Sequence, residues 1–329
     1  MNSKKLEKLK NAKKRKKRIR LLTLVLVVFC VFYIKTIPRE KNRAAEIEES
    51  ILVENEKETE ITQSLKDAEI GNEVIEEVVE EEQETYKEQV EKIVEKYINA
   101  ENLDENNFAF FYYNPKTEEY YVYNEDTFFT AASTIKVPLA MLYYDKINNG
   151  DLTLDSTLQY KSWEYEAGNG STAVDYDAGQ EIPIAFLLQE MIVNSDNTAT
   201  NILKDGLGGE KAYRILIKQY TKRNLPNEFN EENVTSAGYS FDVLKRLYEN
   251  QDKYKELIEY MKISSNGGYL KKDIENYEIA HKYGSYNGNV HDYGICYTEN
   301  EYLIGIFTKE INGAEDLISD INKEIILVR

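Results

Sequence analysis

Along this chain the apolar positions change spacing in blocks, from continuous, to sparse, to helical, to alternating. Leu21–Ile34 (LLTLVLVVFCVFYI) is a mainly apolar run between Arg20 and Lys35. From Arg39 to Gln83 the text turns Glu-rich and free of aromatics, with only scattered pairs such as Ile47/Ile51 and Ile61/Leu65 four apart. Periodicity begins at Glu84, where Tyr86, Val90, Ile93 and Tyr97 predict an amphipathic helix. FAFFYYNP and EEYYVYN predict two strands around the turn residues Asn114, Pro115 and Lys116. Ser133–Ile147 predicts a helix that ends at the NNGD turn, with Pro138 just past its first turn and expected to bend it. Pro183–Val193 predicts another, with Ile184, Leu187, Leu188, Met191 and Ile192 as its apolar stripe. Helical spacing recurs at 209–221, 238–249 and 253–262. YEIAHKYGSY, VHDYGICYT and EYLIGIFTK then read as strands, and Ala314–Ile325 as a closing helix. This order predicts one α+β domain over residues 84–329, whose distant ends complete a single sheet.

Charge divides the chain further. The net charge of −18 over 329 residues argues against nucleic acid as the main partner. It conceals a basic segment at residues 1–20, MNSKKLEKLKNAKKRKKRIR, directly before the apolar run. A basic flank followed by an apolar run is a signal sequence or a membrane anchor with its basic side in the cytoplasm. The run is short for a span, but KTIPREKNR offers no small-residue cleavage site, and Arg20 and Lys35 can snorkel. The expectation is an anchor over residues 21–37, single-pass, with the domain outside the cytoplasm and secreted if the segment is cleaved. Residues 38–83 read as an acidic stalk, solvated or partly helical. Cys30 and Cys296 have no disulfide or metal spacing and are expected to serve packing.

Three short stretches carry chemistry. Ser133-Thr-Ile-Lys136 opens a predicted helix, Ser195-Asp196-Asn197 follows another, and His281-Lys282-Tyr283-Gly284-Ser285 lies on a predicted strand. Singly, each has a plain structural explanation: a helix-cap serine, an exposed lysine, a capping loop. Together, with ASTIKVPLAM, SDNTATN and HDYGI around them, they resemble the S-x-x-K, S-D-N and K-[ST]-G boxes of class A β-lactamases and penicillin-interacting serine enzymes. The similarity covers roughly residues 85–329 and is closest to the β-lactamase-related group of Gram-positive envelopes. It implies a β-lactamase/transpeptidase-like fold, an antiparallel sheet flanked by helices plus an all-helical subdomain. A serine hydroxyl needs a base, and Lys136, one turn along, serves as one only if burial or a neighbouring cation such as Lys282 lowers its pKa. The resemblance implies that Ser195 relays a proton to the leaving nitrogen and that Asn197 holds a substrate amide carbonyl. It also places the backbone N–H groups of Ser133 and Ser285 in the oxyanion hole, and Lys282, Gly284 and Ser285 on the substrate.

Two departures bear on activity. Tyr283 stands where the resemblance expects a serine or threonine hydroxyl for the substrate's carboxylate. No E-x-x-x-N sequence appears in the stretch 221–240, so the base that would release an acyl-enzyme is open. Glu166 and Glu228 are the candidates, with Glu231 and Glu232 near the latter. A Ser–His–Asp set using His281 or His291-Asp292 is explained better as flanks of the third box. Two histidines without a cysteine pair give no metal site, and no cofactor is implied. Three functions follow: a serine hydrolase opening β-lactams or related amides, a peptidoglycan D,D-peptidase or transpeptidase, or a non-catalytic penicillin-binding module. In each the partner is a β-lactam or peptidoglycan-derived small molecule, and the domain is expected to be monomeric.

Overall fold

A computed structural model describes residues 84–264 and 268–328. The expected basic segment, anchor, stalk and Cys30 lie outside the described residues. Among the described residues no helix is long and apolar enough to cross a membrane.

The domain opens with α1 (Tyr86–Ala100), capped by a reciprocal pair in which the Thr85 hydroxyl takes the Glu88 N–H and the Glu88 carboxylate takes the Thr85 N–H. β1 (Phe108–Tyr113) and β2 (Tyr120–Tyr123) form a hairpin, and the two-residue β3 (Phe129–Thr130) leads to α2 (Lys136–Asn148). The short β4 (Thr157–Gln159) and β5 (Glu181–Pro183) pair with each other, followed by α3 (Ile184–Val193), α4 (Asn197–Gly206) and α5 (Glu210–Ile217). β6 (Val234–Thr235) pairs with β3, and α6 (Ala237–Glu249) and α7 (Lys255–Lys262) follow. The chain closes with β7 (Glu278–Tyr286), β8 (Asn289–Tyr297), β9 (Tyr302–Lys309) and α8 (Ala314–Leu327).

The main sheet is antiparallel with strand order β2-β1-β9-β8-β7, so the first and last strands lie side by side as the element order predicts. All six β1 residues are buried because the sheet is covered on both faces. Phe108, Phe110 and Tyr112 join Val90, Val94, Ile318 and Ile321 of α1 and α8. Ala109, Phe111 and Tyr113 join the core shared with α2, α3, α6 and α7. This double burial erases the polar alternation expected of a one-sided antiparallel strand. Phe111 faces Gly305 across the sheet, and a Cβ there would lie 2.1 Å from its ring, so glycine is required by close approach.

The helix predicted over Ser133–Ile147 differs at its start. Ala132–Ile135 forms a 3-10 turn and the α-helix begins at Lys136, whose N–H reaches the Ser133 and Thr134 carbonyls. Pro138 is therefore the third residue of α2, inside the first turn, where no N–H partner is needed. Likewise Pro183 ends β5 and precedes α3 rather than sitting within it.

Candidate active site

Ser133 sits on the 3-10 turn between β3 and α2, at a point fixed from several sides. Ala132 holds a left-handed φ of 47°, a strained value for a residue with a Cβ. The Ala132 carbonyl accepts from Asn233 Nδ2 (3.1 Å), and the Asn233 carbonyl accepts from Ala131 N (2.8 Å). The Asn233 side-chain oxygen in turn takes a bond from the fully buried Arg214 (3.1 Å), which is paired to Glu210 at 2.7 Å. Behind the turn, the Tyr293 hydroxyl donates to the Thr134 carbonyl (3.0 Å). On its open side lies β7, where a Cβ at Gly284 would come within 2.8 Å of Ser133 N and 3.0 Å of the Ala131 carbonyl oxygen. Glycine thus lets the strand edge and the Ser133 turn touch. Gly284→Ala is expected to slow penicillin acylation of Ser133 by roughly 10²-fold with the circular dichroism spectrum unchanged. An unchanged rate in stopped-flow measurements would show that this contact does not position the serine.

Lys136 and Lys282 are both buried, and neither forms an ion pair among the described residues. Lys136 Nζ contacts Ser195 O (2.8 Å), Ser195 Oγ (3.1 Å) and Asn197 Oδ1 (2.7 Å). The predicted approach of this amine to the Ser133 oxygen is therefore not a hydrogen bond in this structure; its partners are the second box. Lys282 Nζ donates to the same Ser195 Oγ (3.2 Å) and to the Tyr283 carbonyl (3.1 Å). Burial, reinforced by Lys282 and Lys204, holds Lys136 well below its ordinary pKa, against the opposing pull of Asp196 and Glu166. Burial likewise pushes Lys282 down to about 7, opposed by Asp292.

Ser195 adopts a left-handed φ of 57° at the end of α3. Asp196 then caps α4, accepting from Ala199 N (3.0 Å) with one oxygen and from Thr172 N (3.0 Å) with the other. The capping explanation and the site explanation of this tripeptide are thus compatible. α4 also presents Asn197, Thr200, Asn201 and Lys204 to a cleft of about 340 Å3. Ser133, Lys136, Asn197 and Ser285 line it, with Glu166 as the one lining carboxylate among the described residues. Glu228 is exposed on a single helical turn (Glu228–Glu231) and is not among the lining residues. The 221–240 stretch contributes Asn233 to the cleft, an amide. Tyr283 does not line the cleft either. Its ring stacks on Tyr269, with centroids 5.2 Å apart, and lies 4.3 Å from Lys282 Nζ.

The histidines are occupied elsewhere. His291 Nδ1 accepts from Thr308 N (3.1 Å), which leaves the proton on Nε2 for the Thr130 carbonyl (2.9 Å); burial lowers its pKa to about 4. His281 is buried against Asp292 (2.6 Å), and neither residue lines the cleft. Among the described residues no group of acidic, histidine or cysteine side chains is arranged to hold a metal ion.

Sheet order, the two helical layers and the placement of the cleft together define a protein of the β-lactamase/transpeptidase fold. The chain belongs to the β-lactamase enzyme family, whose profile matches residues 86–327. The β-lactamase CARB-4 of Pseudomonas aeruginosa is 26% identical over 188 residues, spanning 52% of this chain and 64% of that protein, just under two thirds of its length. Among solved structures, PBP-A is 20% identical, with a TM-score of 0.62 over 72% of this chain and 95% of that one. A PBP-A variant solved as an acyl-enzyme with penicillin G gives 0.63 at 21% identity, over 73% and 95%. A variant of the extended-spectrum β-lactamase TLA-1 gives 0.66 at 20%, over 74% and 100%. Likeness at these identities establishes the fold, and family membership supports a hydrolase.

Proposed function

We propose that this protein is an extracytoplasmic serine hydrolase that opens β-lactams or related amides through an acyl-Ser133 intermediate. The observation that carries this reading is the pair of buried amines without ion-pair partners among the described residues that meet at Ser195 Oγ, one of which, Lys136, lines the same cleft as Ser133. A neutral Lys136 has two protons and one lone pair. The two carbonyl-type oxygens of Ser195 and Asn197, its shortest contacts, take the protons, which leaves the lone pair for a hydroxyl proton. Ser133 Oγ attacks the amide carbon as Lys136 takes its proton, and the N–H groups of Ser133 and Ser285 receive the oxyanion. The C–N bond then breaks, and the leaving nitrogen takes a proton through Ser195.

Intact-mass spectrometry of the full-length protein with a penicillin tests this, with Ser133→Ala as control. The expected result is an adduct of the penicillin's mass on the parent and none on the variant. Labelling that persists in the variant would place the nucleophile elsewhere. A second reading, a peptidase acting on peptidoglycan stems, is favoured by the amide that the 221–233 loop gives the cleft in place of a carboxylate. A persistent adduct supports that reading, and a transient one with product accumulating supports a β-lactamase. The basic and apolar N-terminal segments support a membrane-anchored location, with the acidic segment as a spacer.

A further inference from the structure

Glu166 holds the outer end of the cleft in an unusual way. Its two carboxylate oxygens accept from neutral amides, Asn197 Nδ2 at 2.8 Å and Asn201 Nδ2 at 3.0 Å. Its backbone is pinned to the Thr198 hydroxyl, which contacts both its N and its O at 3.1 Å. No cation pairs with this carboxylate among the described residues. The nearby charges are committed elsewhere: Lys204 is bonded to Glu210 (2.8 Å), and Lys136 and Lys282 are buried in the inner wall. Two aromatic side chains of the same loop stand in solvent, Trp163 at 74% and Tyr165 at 59% exposure, and Tyr286 lines the cleft from β7 at 66%. Trp163 already has an ammonium, that of Lys161, 5.7 Å from its ring. A carboxylate without a cation partner, lining one cleft with the exposed ring of Tyr286, is the chemistry that receives an organic cation.

We propose that Glu166 is a specificity-determining residue that selects amides carrying an ammonium group on the acyl side. The inference rests on the proposed function and on the role that the family resemblance implies for Asn197, whose Nδ2 receives the substrate's amide carbonyl. That donor is already taken by Glu166. A substrate with a neutral acyl chain must displace the carboxylate and leave it with Asn201 alone. A substrate bearing an ammonium supplies the displaced oxygen with a charged donor, so the exchange loses no hydrogen bond. Asn197 Oδ1 stays on Lys136 throughout, so the selection acts on binding and leaves the base in place.

The test uses full-length protein carrying Ser133→Ala, so that binding is read without chemistry. Isothermal titration calorimetry compares Nα-acetyl-lysyl-D-alanyl-D-alanine with its side-chain amine free against the same peptide with that amine acetylated. The free amine is expected to bind at least about tenfold more tightly, the scale of one hydrogen bond to a charged group. Adding Glu166→Gln is expected to reduce the ratio to about twofold or less. Equal affinities, binding of neither peptide, or a preference that survives Glu166→Gln overturns the inference. Penicillin labelling of Ser133 is run in parallel. An amine preference without labelling leaves the subsite standing and removes the acyl-serine reading instead.

Discussion

Lys136→Ala is expected to slow acylation of Ser133 by penicillin by roughly 10²–10⁴-fold, the range for removal of a positioned general base. The expectation follows from where the amine sits. Lys136 is 3% exposed, has no carboxylate partner, and has Lys282 and Lys204 near enough to disfavour its charge. Burial and neighbouring cations that disfavour its charge favour a base role for this amine, a bias an ordinary exposed lysine lacks. Lys136→Arg is expected to give no rescue, because a guanidinium keeps its proton under all conditions of the assay. Ser195→Ala combined with Lys136→Ala is expected to cost much less than the sum of the two, since Ser195 Oγ and Lys136 Nζ are 3.1 Å apart and act on one proton path. Stopped-flow acylation rates decide the matter. A Lys136→Ala rate within a few-fold of the parent would mean that the proton leaves Ser133 by another route.

Lys282→Met is expected to flatten the dependence of stability on pH while abolishing useful substrate binding. In the folded protein Lys282 titrates at about 7 against an ordinary 10.5. Between those values the unfolded chain binds a proton that the folded chain does not. The group's full contribution is therefore present above the unfolded value and is lost as pH falls towards 7. Lys136, depressed in the same direction, adds to the same window and remains in the variant. Urea midpoints measured from pH 7 to pH 10.5 are expected to rise with pH in the parent. The slope attributable to Lys282 approaches about 1.4 kcal/mol per pH unit at its steepest. The methionine variant loses that component and gains stability at pH 7, as expected where a site's chemistry opposes packing. Parallel pH profiles in parent and variant would show that Lys282 keeps its proton in the fold.

Much of this site is legible in the sequence because its boxes lie at ends of regular elements. Ser133, Lys136, Ser195, Asn197 and Ser285 lie on elements that converge although they span more than half the domain, and periodicity places the helix that carries Lys136, the helix that ends just before Ser195 and the strand that carries Ser285. Asn201 was also within reach, since it stands four residues after Asn197 on a helix and so shares its face. The sequence marks this helix only by its capping loop, because NTATN offers little apolar period and its start depends on the buried Asp196 cap. Asn233 carries no such signal. It reaches Ser133's turn through the β3–β6 pairing of two residues each, too short to announce itself. Similarly, the 3-10 turn at Ala132–Ile135 escapes a reading by helical period, which continues smoothly into α2. The direction of Tyr283 was not readable either, since it depends on Tyr269 stacking from a segment 14 residues away.

The adjacency of β1 and β9 sets a timetable for synthesis. Phe108 pairs with Thr308, so β1 waits for a partner that the ribosome makes about two hundred residues later. At roughly 5–20 residues per second the interval is on the order of ten seconds or more. During it FAFFYY exposes an unpaired, aromatic edge, the kind of segment that invites association with other chains. Truncation before Leu303 removes every β9 partner of β1 and leaves that edge open permanently, so quality-control factors that read exposed strands would see such a prematurely terminated chain at once.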